Sequence, residues 1–399
     1  MNYRFSERLG SFSSSAVREI LKLTQGDSIL SFAGGLPAEE HFPSQAISEA
    51  FGRVMEQGNK ALQYGLTEGY LPLREALCRR MEKKHVKVTP DDMLITTGSQ
   101  QAIDLLTRIY IDPGDVILVE RPTYLSALQV FRSYGATPIS VDGDSDGLDL
   151  ADLEAKLKEL KPKILYVIPT FSNPAGTVWS EERRRGVLEL CHRCDTLILE
   201  DDPYGELKFG DASVEYRSLF SLDNHPHGSC VVYTSTFSKT VAPGLRTGWV
   251  IADPEVIRNM ARAKQASDLQ SSSLDQQTLY QLLEHFDLDG HIEFVRTEYE
   301  ARKKQLVSLL EQYAWPGVTW EEPKGGMFIW LRLPEGIDAG ALLKVAVAEG
   351  AAFVPGVSFF AEEPELNTLR MNFTYNDTDA AIEGMKRLDR AFRSVLVKG

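Results

Sequence analysis

The sequence predicts an α/β protein: a mostly parallel seven-stranded sheet flanked by helices, with a smaller α+β domain beside it. Three observations carry this. Short apolar runs rich in β-branched residues, most of them bounded by turn residues, recur through the middle of the chain. Longer helical patterns lie between most of these runs, the alternation expected of a wound, mainly parallel sheet. The chain has 399 residues, 43% hydrophobic and 25% charged, enough for two domains and a sizeable core.

In chain order the strand runs are Met93–Thr96, Val116–Val119, Ile139–Val141, Ile164–Ile168, Thr196–Leu199, Val231–Thr234 and Trp249–Ala252. The helical patterns among them are Gln100–Tyr110, Leu125–Tyr134, Leu150–Leu160 and Glu181–His192. From about Asp289 the character changes. A long charged helix, Ile292–Tyr313, leads to strand-like stretches at Met327–Leu331 and Leu369–Phe373, with helices around Ala339–Glu349 and Thr378–Val395. This places a large domain at 46–288 and a small one at 1–45 plus 289–399.

Composition excludes several classes. A net charge of −14 leaves no broad basic surface for nucleic acid or an anionic membrane. The run Arg183-Arg184-Arg185 sits in a helical pattern and reads as a solvated helix face. No segment approaches the ~18 consecutive apolar residues of a membrane-spanning helix. The N-terminal basic residues have no apolar stretch behind them, so a cytoplasmic location is expected. Four cysteines make no disulfide framework. Cys191-His192-Arg193-Cys194 ends a helical stretch and reads as two partly buried helix-end thiols, and His225 and His227 have no further ligand cluster, so no metal is expected.

Ligands of wound sheets bind beyond the carboxyl ends of the strands, and the chemistry-bearing residues fall there. Ser235-Thr236-Phe237-Ser238-Lys239 follows Val231–Thr234, and Arg246 stands in Gly244-Leu245-Arg246-Thr247-Gly248. A lysine for a Schiff base, with hydroxyls and an arginine for a phosphate, suits an aldehyde–phosphate cofactor. The bland alternative is a surface lysine entering a loop. Thr196–Leu199 runs into Glu200-Asp201-Asp202-Pro203-Tyr204. A carboxylate there suits a protonated pyridine nitrogen and Tyr204 the ring's phenolic oxygen; a capped acidic loop is the alternative. Asn173, in Ser172-Asn173-Pro174-Ala175-Gly176, sits in a Pro/Gly turn where its amide could reach the same oxygen or a carboxylate. Thr97-Gly98-Ser99-Gln100-Gln101 opens a helix, where free N–H groups and the dipole favour a phosphate, although Ser99 could simply cap that helix. Tyr124, after Val116–Val119, offers a ring to stack on a planar cofactor.

Together with Ser31-Phe32-Ala33-Gly34-Gly35-Leu36-Pro37 and Gln63-Tyr64-Gly65, these motifs resemble those of the fold-type-I pyridoxal-phosphate aminotransferases of class I/II, most closely the group with 2-aminoadipate, kynurenine and some aromatic aminotransferases. The resemblance runs from about Ser13 to Phe392. It implies pyridoxal 5'-phosphate as cofactor and amino and 2-oxo acids as substrates. Lys239 would be the Schiff-base lysine and proton carrier, Asp201 would hold the pyridine nitrogen, Tyr204 and Asn173 the ring oxygen, and Tyr124 would stack. Ser99, Gln100, Thr236, Ser238 and Arg246 would hold the phosphate, joined by Tyr64 of a neighbouring subunit, which makes a homodimer necessary. Arg370, with Asn173 and Gly35, would grip the substrate α-carboxylate. The N-terminal segment would cap the substrate, with Ser15 and Arg18 in its helical stretch and Arg18 facing a distal carboxylate. Thr236 departs from the family's usual serine but keeps the hydroxyl. Asp201 is preferred to its neighbour Asp202 because its spacing to Tyr204 matches that of the family it resembles.

The implied reaction is ping-pong transamination with 2-oxoglutarate as acceptor, and a β-lyase or decarboxylase is the alternative, since one fold hosts several chemistries. Transcription regulators that carry such a domain behind a DNA reader are disfavoured by the acidic charge and by the little chain before Ser13.

Overall fold

In the computed structural model, which describes residues 1, 3–11, 19–20, 29–211, 213–223 and 227–396, the apolar runs pair into one seven-stranded sheet. Its strands are β1 (Met93–Thr96), β2 (Val116–Glu120), β3 (Thr137–Val141), β4 (Ile164–Val167), β5 (Leu197–Asp201), β6 (Val231–Thr236) and β7 (Gly248–Ile251). They lie in the order β1-β7-β6-β5-β4-β2-β3. The pairings among β2 to β6 are parallel, whereas β7 runs antiparallel to both of its neighbours.

Successive side chains of a strand point to opposite faces, and this splits the core in two. Ile95, Leu118, Leu165, Ile198 and Val231 fall in one apolar cluster, with Leu73, Leu77, Leu279 and Leu282 from the helices Leu71–Glu82 and Ser273–His285. Leu94, Val119, Tyr166, Leu199 and Val232 fall in another, under the helices Ser99–Tyr110, Leu125–Ser133 and Pro254–Gln265. A sheet covered on both faces needs strands without polar alternation, and every residue of β1 and β4 is buried.

A second sheet holds β8 (Thr319–Trp320), β9 (Phe328–Arg332), β10 (Val354–Pro355) and β11 (Thr368–Asn372) in the antiparallel order β8-β9-β11-β10. Ile329, Leu331, Leu369 and Met371 pack there against Met385, Leu388 and Phe392 of the helix Thr378–Leu396. Leu30–Ser31 pairs in parallel with Ala351–Ala352, which brings the segment before Gly35 to this second core. The helix Leu288–Tyr313, capped by the Asp287 carboxylate, spans both cores: Leu288 and Ile292 join the first, Leu306 and Leu310 the second.

Several sequence expectations move. β5 continues through Glu200 and Asp201, and β6 through Thr236, because their backbones stay in the ladder: Asp201 pairs with Thr234. The Arg183–Arg185 run is not uniformly solvated. Arg184 is 1% exposed, and its guanidinium is absorbed by backbone carbonyls described below. Cys191 is buried and Cys194 partly so, at the end of the helix Glu181–Arg193. His225 lies outside the described residues, and His227 is exposed. No helix among the described residues is long and apolar enough to cross a membrane.

Candidate active site

A cavity of about 720 Å³ opens at the carboxyl ends of the parallel strands. It gathers side chains from the turns after β1, β2, β4, β5 and β6, and Arg370 from β11 of the second sheet. Lys239, Asp201, Tyr204, Asn173, Tyr124, Ser99, Gln100, Thr236, Ser238, Arg246, Gly35 and Arg370 all line it.

Lys239 follows the last residues of β6 and reaches across the cavity, its Nζ donating to the Gly35 carbonyl at 2.7 Å. Burial, then the charges of Arg370 and Arg246, bring its amine down to about 8. Such an amine is about one-tenth neutral at pH 7, far more than an ordinary lysine, and the neutral form is the one a nucleophile or proton acceptor requires.

Asp201 is the last residue of β5 and 2% exposed. Strand alternation separates it from Asp202. Asp201 receives the Tyr166 hydroxyl on Oδ2 at 2.9 Å, whereas Asp202 turns to Tyr233, whose hydroxyl donates to Asp202 Oδ2 at 2.7 Å. Asp201 Oδ1 is buried and, among the described residues, without a hydrogen-bond partner. Burial pushes the carboxyl up to about 7, the Tyr166 hydroxyl pulls it down, the Asp202 charge pushes it up, and Ser99 pulls it down again. A cation against Oδ1 would answer both the missing partner and the raised pKa.

One end of the cavity is built on Arg370, 2% exposed. Its Nη1 donates to Asn173 Oδ1 and its Nη2 to the Ala33 carbonyl, each at 2.7 Å. The guanidinium lies 4.0 Å from the centre of the Phe328 ring and 5.1 Å from that of Phe359. Its Nε has no partner among the described residues, and burial brings the group down to about 10. Asn173 Nδ2 donates to the Tyr204 hydroxyl at 3.4 Å, so Asn173 links the arginine to the tyrosine.

The opposite corner is made for an anion. Gly98, at φ +75°, precedes the helix Ser99–Tyr110, and a Cβ there would meet Arg246 Nη2 at 2.7 Å. The first N–H groups of that helix have no partner within it. Thr236 Oγ1 and Ser238 Oγ are 2.8 Å apart, and Arg246 Nη1 donates to Ser238 Oγ at 3.4 Å. Arg246 itself is held at φ +45° beside the turn, with Nη2 donating to the Thr97 carbonyl. Ser99 Oγ, buried and without a partner among the described residues, sits beside Asp201 in the same cavity.

The turn that carries Asn173 is fastened from behind. Glu120 Oε2 accepts from Ile168 N at 2.7 Å and Oε1 from Trp179 Nε1 at 3.1 Å. Arg184 donates to the Pro169 carbonyl at 2.8 Å, to Thr170 Oγ1 at 2.9 Å and to the Trp179 carbonyl at 3.2 Å. Both ends of the 168–179 segment are thereby fixed, and Gly176, at φ +71°, closes against the Phe328 carbonyl.

Tyr64 does not line this cavity. It is 78% exposed, among exposed Leu62, Leu66, Leu71 and Leu269. Its loop is tied to the chain by Gly65 N donating to Gln270 Oε1 and Tyr70 N donating to Gln276 Oε1. Ser15 and Arg18 lie outside the described residues. Sequence reading passes over Ser126 and Gln129, which line the cavity three residues apart on the helix that follows Tyr124; that helical spacing is the available signal. It also passes over Tyr166, whose hydroxyl meets Asp201, and over Phe328 and Phe359, whose rings lie against the Arg370 guanidinium; none of the three carries a motif.

Comparison with known proteins gives a consistent picture. The model of the family "Aminotransferase class I and II" matches residues 28–384. The aromatic-amino-acid aminotransferase 1 of Thermococcus litoralis is 42% identical, the match covering 99% of this chain and 95% of that protein. The crystal structure of the Pyrococcus horikoshii kynurenine aminotransferase, in complex with PMP, superposes with a TM-score of 0.92 at 42% identity, covering 98% of this chain and 97% of that one. The α-aminoadipate aminotransferase of Thermus thermophilus, complexed with N-(5'-phosphopyridoxyl)-L-leucine, does so with a TM-score of 0.92 at 38% identity, covering 99% and 98%.

Proposed function

Because this chain belongs to the class I and II aminotransferases and works with pyridoxal phosphate, we propose that it moves the amino group of an L-amino acid to 2-oxoglutarate in two alternating half-reactions. The donors we propose are 2-aminoadipate, aromatic and branched-chain amino acids; the first two classes match the activities for which similar proteins are named. The observation that carries the reading is the shared cavity of a lysine with lowered basicity, a buried carboxylate with one open oxygen and a buried arginine with an open Nε.

Bound pyridoxal phosphate supplies an electron sink for the substrate α-carbon. Lys239 Nζ would be the group that links to the cofactor and that accepts and returns the α-proton of the substrate. Among the residues that line the cavity, Asp201 would hold the ring nitrogen through Oδ1, Asn173 and Tyr204 the ring oxygen, and Tyr124 would stack on the ring. Ser99, Gln100, Thr236, Ser238 and Arg246, which line the same cavity, would hold the phosphate, and Arg370, Asn173 and Gly35 would orient the substrate α-carboxylate. We assign these residues to a large domain, 46–288, and a small one, 1–45 plus 289–399; the two main apolar cores support the division, with Ile292 of the second segment reaching into the first core.

Assaying a panel of amino acids for glutamate formation from 2-oxoglutarate tests the proposal; no glutamate from any member would overturn it. The same panel tests Arg18. Arg18→Ala is expected to raise KM for 2-aminoadipate and 2-oxoglutarate by about tenfold or more, the loss of a charge-assisted pair, and to leave KM for leucine unchanged. A uniform rise would return Arg18 to a structural role.

We further propose a homodimer in which Tyr64 of one subunit completes the phosphate site of the other. The exposed apolar residues around Tyr64 support it, since such a patch on a protein surface marks a contact. Mixing inactive Lys239→Ala with weakened Tyr64→Phe subunits is expected to restore part of the activity, because a hybrid dimer has one intact site. No recovery after confirmed subunit exchange would argue against sharing.

A further inference from the structure

We propose that Tyr166 is a positioning residue: its hydroxyl selects which oxygen of Asp201 faces the cofactor's ring nitrogen and keeps that carboxylate ionised. The inference rests on the reading of Asp201 given above. Tyr166 lies in β4, whose neighbour β5 ends in Asp201. Its side chain is fully buried, and the ring packs edge-on to Phe131 with centroids 5.5 Å apart. That hydroxyl donates to Asp201 Oδ2 at 2.9 Å and leaves Oδ1 as the free acceptor.

Chemistry makes the arrangement one-directional. Burial, reinforced by the Asp201 charge, holds the phenol well above its ordinary pKa, so Tyr166 stays a donor. A carboxylate is acceptor-only when ionised, and a donor on one oxygen favours that ionised form. Among the influences on Asp201, the Tyr166 hydroxyl is the foremost one that opposes burial. Without it the carboxyl would take up a proton more readily, and a neutral carboxyl no longer stabilises a protonated ring nitrogen.

The test uses holoenzyme carrying pyridoxal phosphate labelled with ¹⁵N in the ring, whose chemical shift reports nitrogen protonation across a pH titration. Tyr166→Phe is expected to bring nitrogen deprotonation down by about one pH unit or more. It is also expected to lower kcat about tenfold while KM stays within roughly twofold. Coincident titration curves for the wild type and Tyr166→Phe would overturn the proposal. Phe131→Leu controls for packing: it is expected to lower Tm and leave the titration in place. A shift in Phe131→Leu as large as that in Tyr166→Phe would assign the effect to packing and overturn the role of the hydroxyl. Asp201→Ala separates the two readings. If it displaces the titration and Tyr166→Phe does not, only the role of Tyr166 falls. If Asp201→Ala leaves the titration unmoved, the assignment of Asp201 falls, and this inference with it.

Discussion

Replacing Lys239 by alanine is expected to abolish turnover, by roughly 10⁴-fold or more, while the protein keeps its fold and still retains cofactor. The expectation follows from geometry. Among the described residues Lys239 is the only lysine lining the cavity, it faces Asp201 and Arg370 across that space, and its basicity is lowered by burial and two arginines. The phosphate site proposed above is made by other residues, Thr236, Ser238 and Arg246, so the variant is expected to retain cofactor without the lysine. Borohydride reduction of the wild type followed by peptide mapping checks the assignment. The label is expected on Lys239, and a label on another lysine would falsify it.

The second large effect separates two adjacent carboxylates. Asp201→Ala is expected to lower kcat by ~10²-fold or more, because the group acts on charge that develops during reaction. Asp202→Ala should leave kcat within a few-fold and act on stability instead. Asp202 Oδ2 accepts the Tyr233 hydroxyl at 2.7 Å and Oδ1 accepts Gly205 N at 2.9 Å. Deleting these acceptors leaves buried donors unsatisfied, at a cost of about 1–3 kcal/mol. Steady-state kinetics and thermal unfolding on both variants decide it. Equal, mild losses of activity from the two substitutions would show that the roles are misassigned.

This pair also illustrates what is legible in the sequence. The seven strands stand out because strands buried on both faces must be short, continuous and β-branched, and the order of motifs along the chain already puts Lys239, Asp201 and Asn173 at strand ends. What spacing alone does not decide is direction. Whether Asp201 or Asp202 points into the cavity depends on the pleat, and the pleat becomes visible only once Asp201 is seen paired with Thr234 inside the ladder. Charged residues at the end of β5 suggest a break that backbone pairing overrides. Arg184 misleads for a related reason. A triple-arginine run looks solvated, and only tertiary structure supplies the carbonyls that make a buried guanidinium tolerable. Tyr64 is a different case, because it is exposed in the single chain and the contact proposed for it would lie on a second subunit.

The fastening of the 168–179 segment has a consequence for how the enzyme responds to heat. A loop that orders only when ligand arrives charges its lost conformational freedom against affinity, and it can fail before the rest of the protein does. Here Glu120 and Arg184 fix the turn around Asn173 from the buried side, through the same packed layers that hold β2, β4 and the helix Glu181–Arg193 together. The cost of ordering Asn173 is therefore settled when the chain folds. The Asn173 amide has no melting step of its own, and it should stay in place with rising temperature until it is lost together with the sheet that supports it.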